Sequence, residues 1–351
     1  MIISVLEKNA GFYSEIFFML NHYIHCKNNK IPFVLDTTNW LFKYENGWED
    51  YFENIDLNFE ADDADDDVTA TATPPKLTSR SKGAMQFFRH SQIIEHFSIL
   101  QYKQEIRKIY KYNNNTAYFI NQMRLQWGFS ATTIYDSIFI RRGDKLFDES
   151  YFISTKKYID TLLQREPATD KIVLQSDDYN CVVEAQQYLA ATRPHIQLFS
   201  LCRPHNRGGM IIFPRNFAEN FKHDINDNDN IKYDTSHKYI SANLNNYATA
   251  KSVFEYSPAE IYEHTLDMIC GVDFVLNSRT CVLDMQSNVS RFIRLFRDDD
   301  RVIDVVRLEQ DAADFNGERD YYIHDAICPA YISSIYPEDY KILQENMQNI
   351  I

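Results

Sequence analysis

From Ser137 onward, apolar runs of strand length alternate with stretches of helical spacing, and this alternation restricts the chain more than any other feature. The strand candidates are "SIFIR" (Ser137 to Arg141), "KIVLQ" (Lys171 to Gln175), "IQLFS" (Ile196 to Ser200), "DFVLN" (Asp273 to Asn277) and "VIDVV" (Val302 to Val306). Helix candidates lie at Lys156 to Gln164, Asn180 to Ala191, Pro258 to Cys270 and Asp284 to Phe296. Strands separated by helices of roughly ten or more residues predict crossover connections and a parallel sheet covered on both faces. Such a sheet binds ligands beyond the carboxyl ends of its strands, so the residues just after each strand are the informative ones.

Ahead of this region, Phe12 to Tyr23 has helical spacing. It is followed by the strand candidate "IPFVL" (Ile31 to Leu35), with Pro32 near the start, where a missing N–H is tolerated. At 351 residues the chain exceeds one hydrophobic core, and two domains are expected. The stretch 60–83, rich in acidic, small and proline residues, predicts a mobile surface loop, and 223–238 predicts another. The run Asp62 to Asp67 lies in the first of these with no strand before it, so it predicts a solvated loop rather than a metal-binding carboxylate signature.

A formal net charge of -14 argues against a protein whose main task is to grip nucleic acid, because phosphate neutralisation needs a basic face. An anionic ligand must then be held by a local cluster of cations. The six cysteines are scattered, with no CxxC pair to suggest zinc, which predicts reduced thiols in a cytosolic compartment. The amino terminus has neither a basic leader nor a small-residue cleavage site, and no run approaches the ~20 apolar residues of a bilayer crossing. The expectation is a soluble, cytoplasmic protein.

Directly after the first strand of the second half stand Arg141, Arg142, Gly143, Asp144 and Lys145, with Glu149 beyond them. Side chains alternate along a strand, so one arginine is expected to face a ligand while the other anchors the turn. A guanidinium fork matches phosphate oxygens, and a pyrophosphate is the small anion such a clamp suits; a strand-end pair bonded to neighbouring aspartates is the other reading. After the second strand come Asp177 and Asp178, which either accept bonds from a ribose, a base or a metal, or help cap the helix starting near Asn180. "LCRPHNRGGM", carrying Arg203, His205 and Arg207, reads as a plain loop. "SRTC" (Ser278 to Cys281) offers the N–H groups of a helix start to an anion, or serves as an ordinary N-cap.

Together these residues resemble the α1,6-fucosyltransferase family. "FIRRGDK" (Phe139 to Lys145) is similar to that family's His-x-Arg-Arg-x-Asp-Lys pattern, and Asn39-Trp40 followed by Gly47-Trp48-Glu49 is similar to its Asn-Trp and Gly-Trp-Glu pair. Weaker matches at Gly11-Phe12, Gln175 to Asp178 and Leu266 to Ser278 follow in the family's order. The resemblance implies an α/β, GT-B-like fold of two Rossmann-like domains facing a central cleft. Residues 1–131 would form the acceptor side, and 132–351, ending in a helix, would bind the nucleotide sugar. It also implies an inverting transfer of fucose from GDP-fucose to a glycan hydroxyl, with no metal or other cofactor.

On this resemblance Arg141 would hold the diphosphate with Arg142 in support. Gly11, Phe12, Asp177, Asp178, Asp267, Ser278, Thr280 and Cys281 would complete the donor site. Asp144, Lys145 and Glu149 would fall at the acceptor, with Glu149 as general base and Arg141 and Lys145 sharing the catalysis. Phe139 stands where the family has histidine, which leaves open another donor such as GDP-rhamnose or GDP-mannose. A catalytically silent protein that binds a sugar nucleotide or glycan is the alternative from a different class.

Overall fold

In a computed structural model of the chain, residues 2–6, 11–55, 76–78, 99–143, 152–206, 253–285, 287–297 and 300–305 are described. They form an α/β protein of two units that part between Asn113 and Asn114. In the first unit, β1 (Ile2–Val5) pairs in parallel with β2 (Phe33–Asp36) on one side and β3 (Lys76–Thr78) on the other. Helix α1 (Phe12–Asn28) crosses from β1 to β2 and runs past Tyr23 because Ile24 and Cys26 remain fully buried. Helix α2 (Ile99–Ile109) packs against α1, with Tyr102 Oη donating to Asn21 Oδ1 at 2.5 Å and Lys27 Nζ to Glu105 at 2.6 Å.

β3 corrects the loop expected over 60–83: Lys76 to Thr78 pair with Ile3 to Val5. Pairing of backbone groups needs no apolar periodicity, and three residues are too few to show any. The remainder of 60–83, and all of 223–238, lies outside the described residues.

The connection after β2 carries its own aromatic core. Phe12 stacks on Trp40 with ring centroids 5.3 Å apart and meets Phe42 and Tyr51 edge-on, while Trp48 lies 4.3 Å from Phe52. Asp50 closes the loop, its carboxylate accepting the backbone N–H groups of Tyr44, Glu45, Asn46 and Gly47 at 2.8 to 3.2 Å. Gly47, at φ +75°, lies so close to Thr37 that a Cβ has no room. Trp40 and Trp48, only 2% and 4% exposed, are therefore packing residues of this unit.

The second unit contains α3 (Asn114–Gln126), β4 (Asp136–Ile140), α4 (Thr155–Arg165), β5 (Lys171–Ser176), α5 (Tyr179–Thr192), β6 (Gln197–Phe199), α6 (Pro258–Leu276), β7 (Cys281–Leu283), α7 (Asn288–Phe296) and β8 (Val302–Asp304). The strands form one parallel sheet in the order β6-β5-β4-β7-β8. The chain steps outward from β4 to β6 and then returns to the other side of β4. The order thus reverses between β4 and β7, and the carboxyl ends of those two strands flank the crevice where open sheets bind ligands. All of β4 is buried, as expected of a strand covered on both faces.

The division at 113/114 falls before 131 because α3 and the residues after it pack within the second unit. Arg124 pairs with Asp273 at 2.7 Å, Trp127 lies 4.5 Å from Phe274, and Phe129 lies 4.9 Å from Tyr135.

One expected strand is absent. Asp273 to Leu276 complete α6, and the strand at this point of the chain is β7, beginning at Cys281. A capping box of Ser257 and Glu260 with Pro258 at the first turn starts α6, and its buried face continues through Ile269, Val272 and Val275 without a break. Gly271 does not interrupt it, since that glycine is where the helix backbone presses on the Gln175 side chain. An apolar run of three residues, Phe274 to Leu276, suits a buried helix end as well as a strand.

Candidate functional site

The carboxyl end of β4 delivers Arg141 and Arg142 to opposite sides, as strand alternation requires. Arg142 turns inward and is 1% exposed. Its guanidinium grips both Glu184 oxygens at 3.1 and 3.2 Å, donates to Thr155 Oγ1 at 2.9 Å, and lies 4.8 Å over the Phe152 ring. It therefore ties the start of α4 and the first turns of α5 to the end of β4. The donor contact expected of Arg142 is corrected to a positioning one, because its charge is spent inside the protein.

Arg141 stays at the strand end and forms an ion pair with Asp177 at the end of the neighbouring strand β5. Asp177 also accepts the backbone N–H of Arg142 at 2.8 Å. Between them Gly143 adopts φ +45°, with Asp177 and Arg141 occupying the space a Cβ would need. Only glycine fits this turn, so the Arg-Arg-Gly order has a steric reason as well as an electrostatic one.

Asp178, also expected at the nucleotide, is fully buried and is the N-cap of α5, with Oδ1 accepting Asn180 N–H at 2.9 Å. Of the two carboxylates, Asp177 alone is partly exposed beside Arg141. Gly11 is the N-cap of α1, in extended backbone, and Phe12 is 3% exposed within the aromatic core, which leaves it no face for a ligand. Asp144, Lys145 and Glu149 lie outside the described residues.

After β6 the loop carries Arg203, whose Nε meets Asp267 at 2.5 Å and whose Nη1 meets Glu263 at 3.0 Å. Burial raises the Asp267 carboxyl above its ordinary range, outweighing the opposing pull of Arg203. Beside it His264 is pushed down to about 4, by burial first and then by Arg203 and His205. The His264 ring lies 5.0 Å from Tyr256 and 5.5 Å from His205. Asn206 O accepts Tyr179 N–H at 2.9 Å, which joins this loop to the start of α5 beside Asp177. Glu263, His264 and Asp267 recur along one polar stripe of α6, the spacing that could have drawn His264 and Glu263 into the reading along with Asp267.

Ser278, Thr280 and Cys281 belong elsewhere. Ser278 and Thr280 precede β7 and Cys281 begins it, instead of following a strand, so they sit at the amino edge of the sheet. Thr280 N–H bonds Asp136 Oδ1 at 3.1 Å and its hydroxyl bonds Glu166 at 2.7 Å, while Ser278 Oγ meets Ser137 Oγ at 2.7 Å. Asp136 and Ser137 belong to the start of β4, a strand's length from Arg141, and Glu166 is the C-cap of α4. The arrangement expected of Ser278 to Cys281, a strand end running into a helix start, occurs instead at Asp284 to Ser287. There Ser287 caps α7 by accepting Val289 N–H at 3.2 Å. Among the described residues no cluster of His, Cys, Asp and Glu gathers as metal ligands, and no helix is long and apolar enough to cross a membrane.

The class defined by these observations is an α/β protein with a doubly wound second unit and an arginine at its switch point. No family model and no curated protein matches the sequence. Among solved structures, the chain is similar to the fucosyltransferase NodZ from Bradyrhizobium at 9% identity and TM-score 0.47, covering 84% of this chain and 92% of that one. NodZ α1,6-fucosyltransferase soaked with GDP-fucose gives the same identity and coverage at TM-score 0.46. A mutant of FUT1 from Arabidopsis thaliana in complex with GDP is similar at 8% identity and TM-score 0.40, over 84% of this chain and 68% of that one.

Proposed function

We propose that the protein is an inverting glycosyltransferase that moves a sugar, fucose before others, from a GDP-sugar to a hydroxyl of a glycan. The observation that carries this reading is the placement of Arg141, in a segment resembling the family's arginine motif, at the carboxyl end of the strand where the sheet order reverses. In the reaction the acceptor oxygen forms a bond to the anomeric carbon as the bond from that carbon to the diphosphate breaks, and GDP leaves. Negative charge grows on the departing diphosphate, and a guanidinium beside it stabilises the transition state more than the ground state. Glu149 takes the acceptor proton, a contribution of about 10² to 10⁴ in rate, and Lys145 orients it. Attack from the face opposite the leaving group gives inversion. With Arg141 supplying the cation, the reading calls for no metal.

Arg142, Gly143 and Asp177 support this chemistry by fixing Arg141 in place, since a clamp held in advance loses less freedom on binding. The decisive experiment is GDP release from GDP-fucose in the presence of glycan acceptors, repeated with Glu149→Gln. The proposal expects turnover in the wild type, and binding of GDP without turnover in the variant. Stabilisation by UDP or CMP sugars and not by GDP sugars overturns the donor; GDP-sugar binding with no turnover for any acceptor overturns the enzyme.

A further inference from the structure

We infer that Gln175 is a further binding residue of the nucleotide site, its side-chain oxygen accepting a hydrogen bond from a ribose hydroxyl. The inference rests on the reading of Arg141 as the diphosphate clamp, and it assigns the part of the ligand next to the diphosphate.

Gln175 is the second-last residue of β5 and lies beside Phe139 of β4 in the parallel register. Ile172 and Leu174 enter the core shared with α4 and α5, so alternation sends Gln175 to the opposite face, where its side chain meets α6 at Gly271. Arg141 leaves β4 on the side opposite Arg142, which bonds Thr155 and Glu184 of α4 and α5. Arg141 and Asp177 are an ion pair that stands two residues further along the two chains than Phe139 and Gln175. Gln175 is thus one side chain inward of the clamp.

Two features set Gln175 apart from a packing residue. The residue is 6% exposed, and its Oε1 is buried without accepting a hydrogen bond. A buried acceptor with no donor costs stability that an apolar side chain of the same size does not. The second feature is Gly271, in the interior of the 19-residue α6. A Cβ there would fall 2.4 Å from Gln175 Cδ and 2.6 Å from Oε1. Glycine inside a helix is unfavourable relative to alanine, so making room for this carboxamide weakens α6 as well. Both penalties are local, and both lie at the end of the sheet where open α/β folds bind ligands.

The missing partner of Oε1 is a hydrogen-bond donor. Ionised phosphate oxygens offer none, and in a nucleoside diphosphate the ribose hydroxyls are the donors nearest the diphosphate. Phe139, the neighbour across the strand pair, is apolar and cannot bond a hydroxyl. The terminal torsion of a glutamine is broad, and rotation about it turns the oxygen from α6 toward the strand end as the nucleotide arrives. A group built to bond a hydroxyl rejects the analogue that lacks it, because the acceptor then stays unpaired.

The probes are GDP and 2′,3′-dideoxy-GDP, each titrated calorimetrically into wild type and Gln175→Met, with melting of both proteins followed in the absence of nucleotide. Wild type is expected to bind GDP at least about tenfold more tightly than the dideoxy nucleotide, the worth of one hydrogen bond to a buried group. Gln175→Met should bind both with the weaker affinity, and should melt at or above the wild-type temperature, since it fills the same space with no unpaired oxygen. Equal affinity of wild type for the two nucleotides, a preference for GDP that survives in Gln175→Met, or a clearly lower melting temperature of that variant overturns the inference and leaves the reading of Arg141 intact. Failure of wild type to bind either nucleotide overturns both.

Discussion

Arg141 and Asp177 form an ion pair that bridges the carboxyl ends of β4 and β5, strands paired in register from Asp136 and Ile172 to Ile140 and Ser176. The pair gives Asp177 two opposing effects on an incoming diphosphate. It holds the guanidinium at the strand end, and its own charge repels the phosphate. Unit charges about 6 Å apart at a partly exposed site interact by roughly 1 to 2 kcal/mol, so the repulsion is worth about tenfold in affinity. Asp177→Asn, which keeps the acceptor for Arg142 N–H, is expected to tighten GDP binding by up to about tenfold in a calorimetric titration. Unchanged or weaker binding would show that orientation outweighs charge.

Arg142 and Arg141 should separate cleanly on substitution. Arg142→Ala removes a buried bidentate grip on Glu184 and the bond to Thr155, and is expected to cost about 2 to 4 kcal/mol in chemical denaturation. Arg141→Ala should change stability by less than about 1 kcal/mol, because its partner is partly solvated, while abolishing stabilisation by GDP.

The two edges of the sheet make a second contrast. Ser278→Ala and Thr280→Ala disturb bonds at the amino edge and should leave GDP affinity unchanged. Ser287→Ala removes the N-cap of α7 beyond the carboxyl end of β7, and should cost about 1 kcal/mol of stability together with several-fold in GDP affinity. Equal effects on GDP binding from both edges would contradict the placement.

Acid sensitivity is expected from His22, which is fully buried on α1 with Nδ1 at 2.7 Å from Ser4 Oγ. Burial, aided by His25, pushes its pKa down to about 3 from an ordinary 6.5. Between those values the unfolded chain binds a proton that the folded chain refuses, so the stability present above pH 6.5 is lost as the pH falls toward 3. The slope from this one group is about 1.4 kcal/mol per pH unit. Denaturant midpoints measured from pH 7 to pH 4.5 should fall accordingly, and His22→Gln should flatten that part of the curve.

How far the sequence carried the interpretation varied with the kind of signal. The strands at β4, β5 and β6 and the helices between them were legible because each has the full periodicity of its element. The end of α6 was not, since the apolar run Phe274 to Leu276 in "DFVLN" is too short to show a period and tertiary burial alone assigns it. That single misplacement carried Ser278, Thr280 and Cys281 to the wrong edge, and it hid Ser287, whose role depends on a strand only three residues long. β3 was silent because an edge strand of three residues pairs through backbone alone.

Residue order by itself determined the parallel α/β class of the second half, the glycine after Arg142 and the cationic character of the first strand's end, because periodicity and charge are properties of neighbours along the chain. Which arginine turns inward, which aspartate caps α5 and which meets Arg141, and which edge each serine reaches were decided only on folding. Those choices depend on partners far apart in sequence, Glu184 for Arg142 and Asp136 for Arg279, which only close packing brings together.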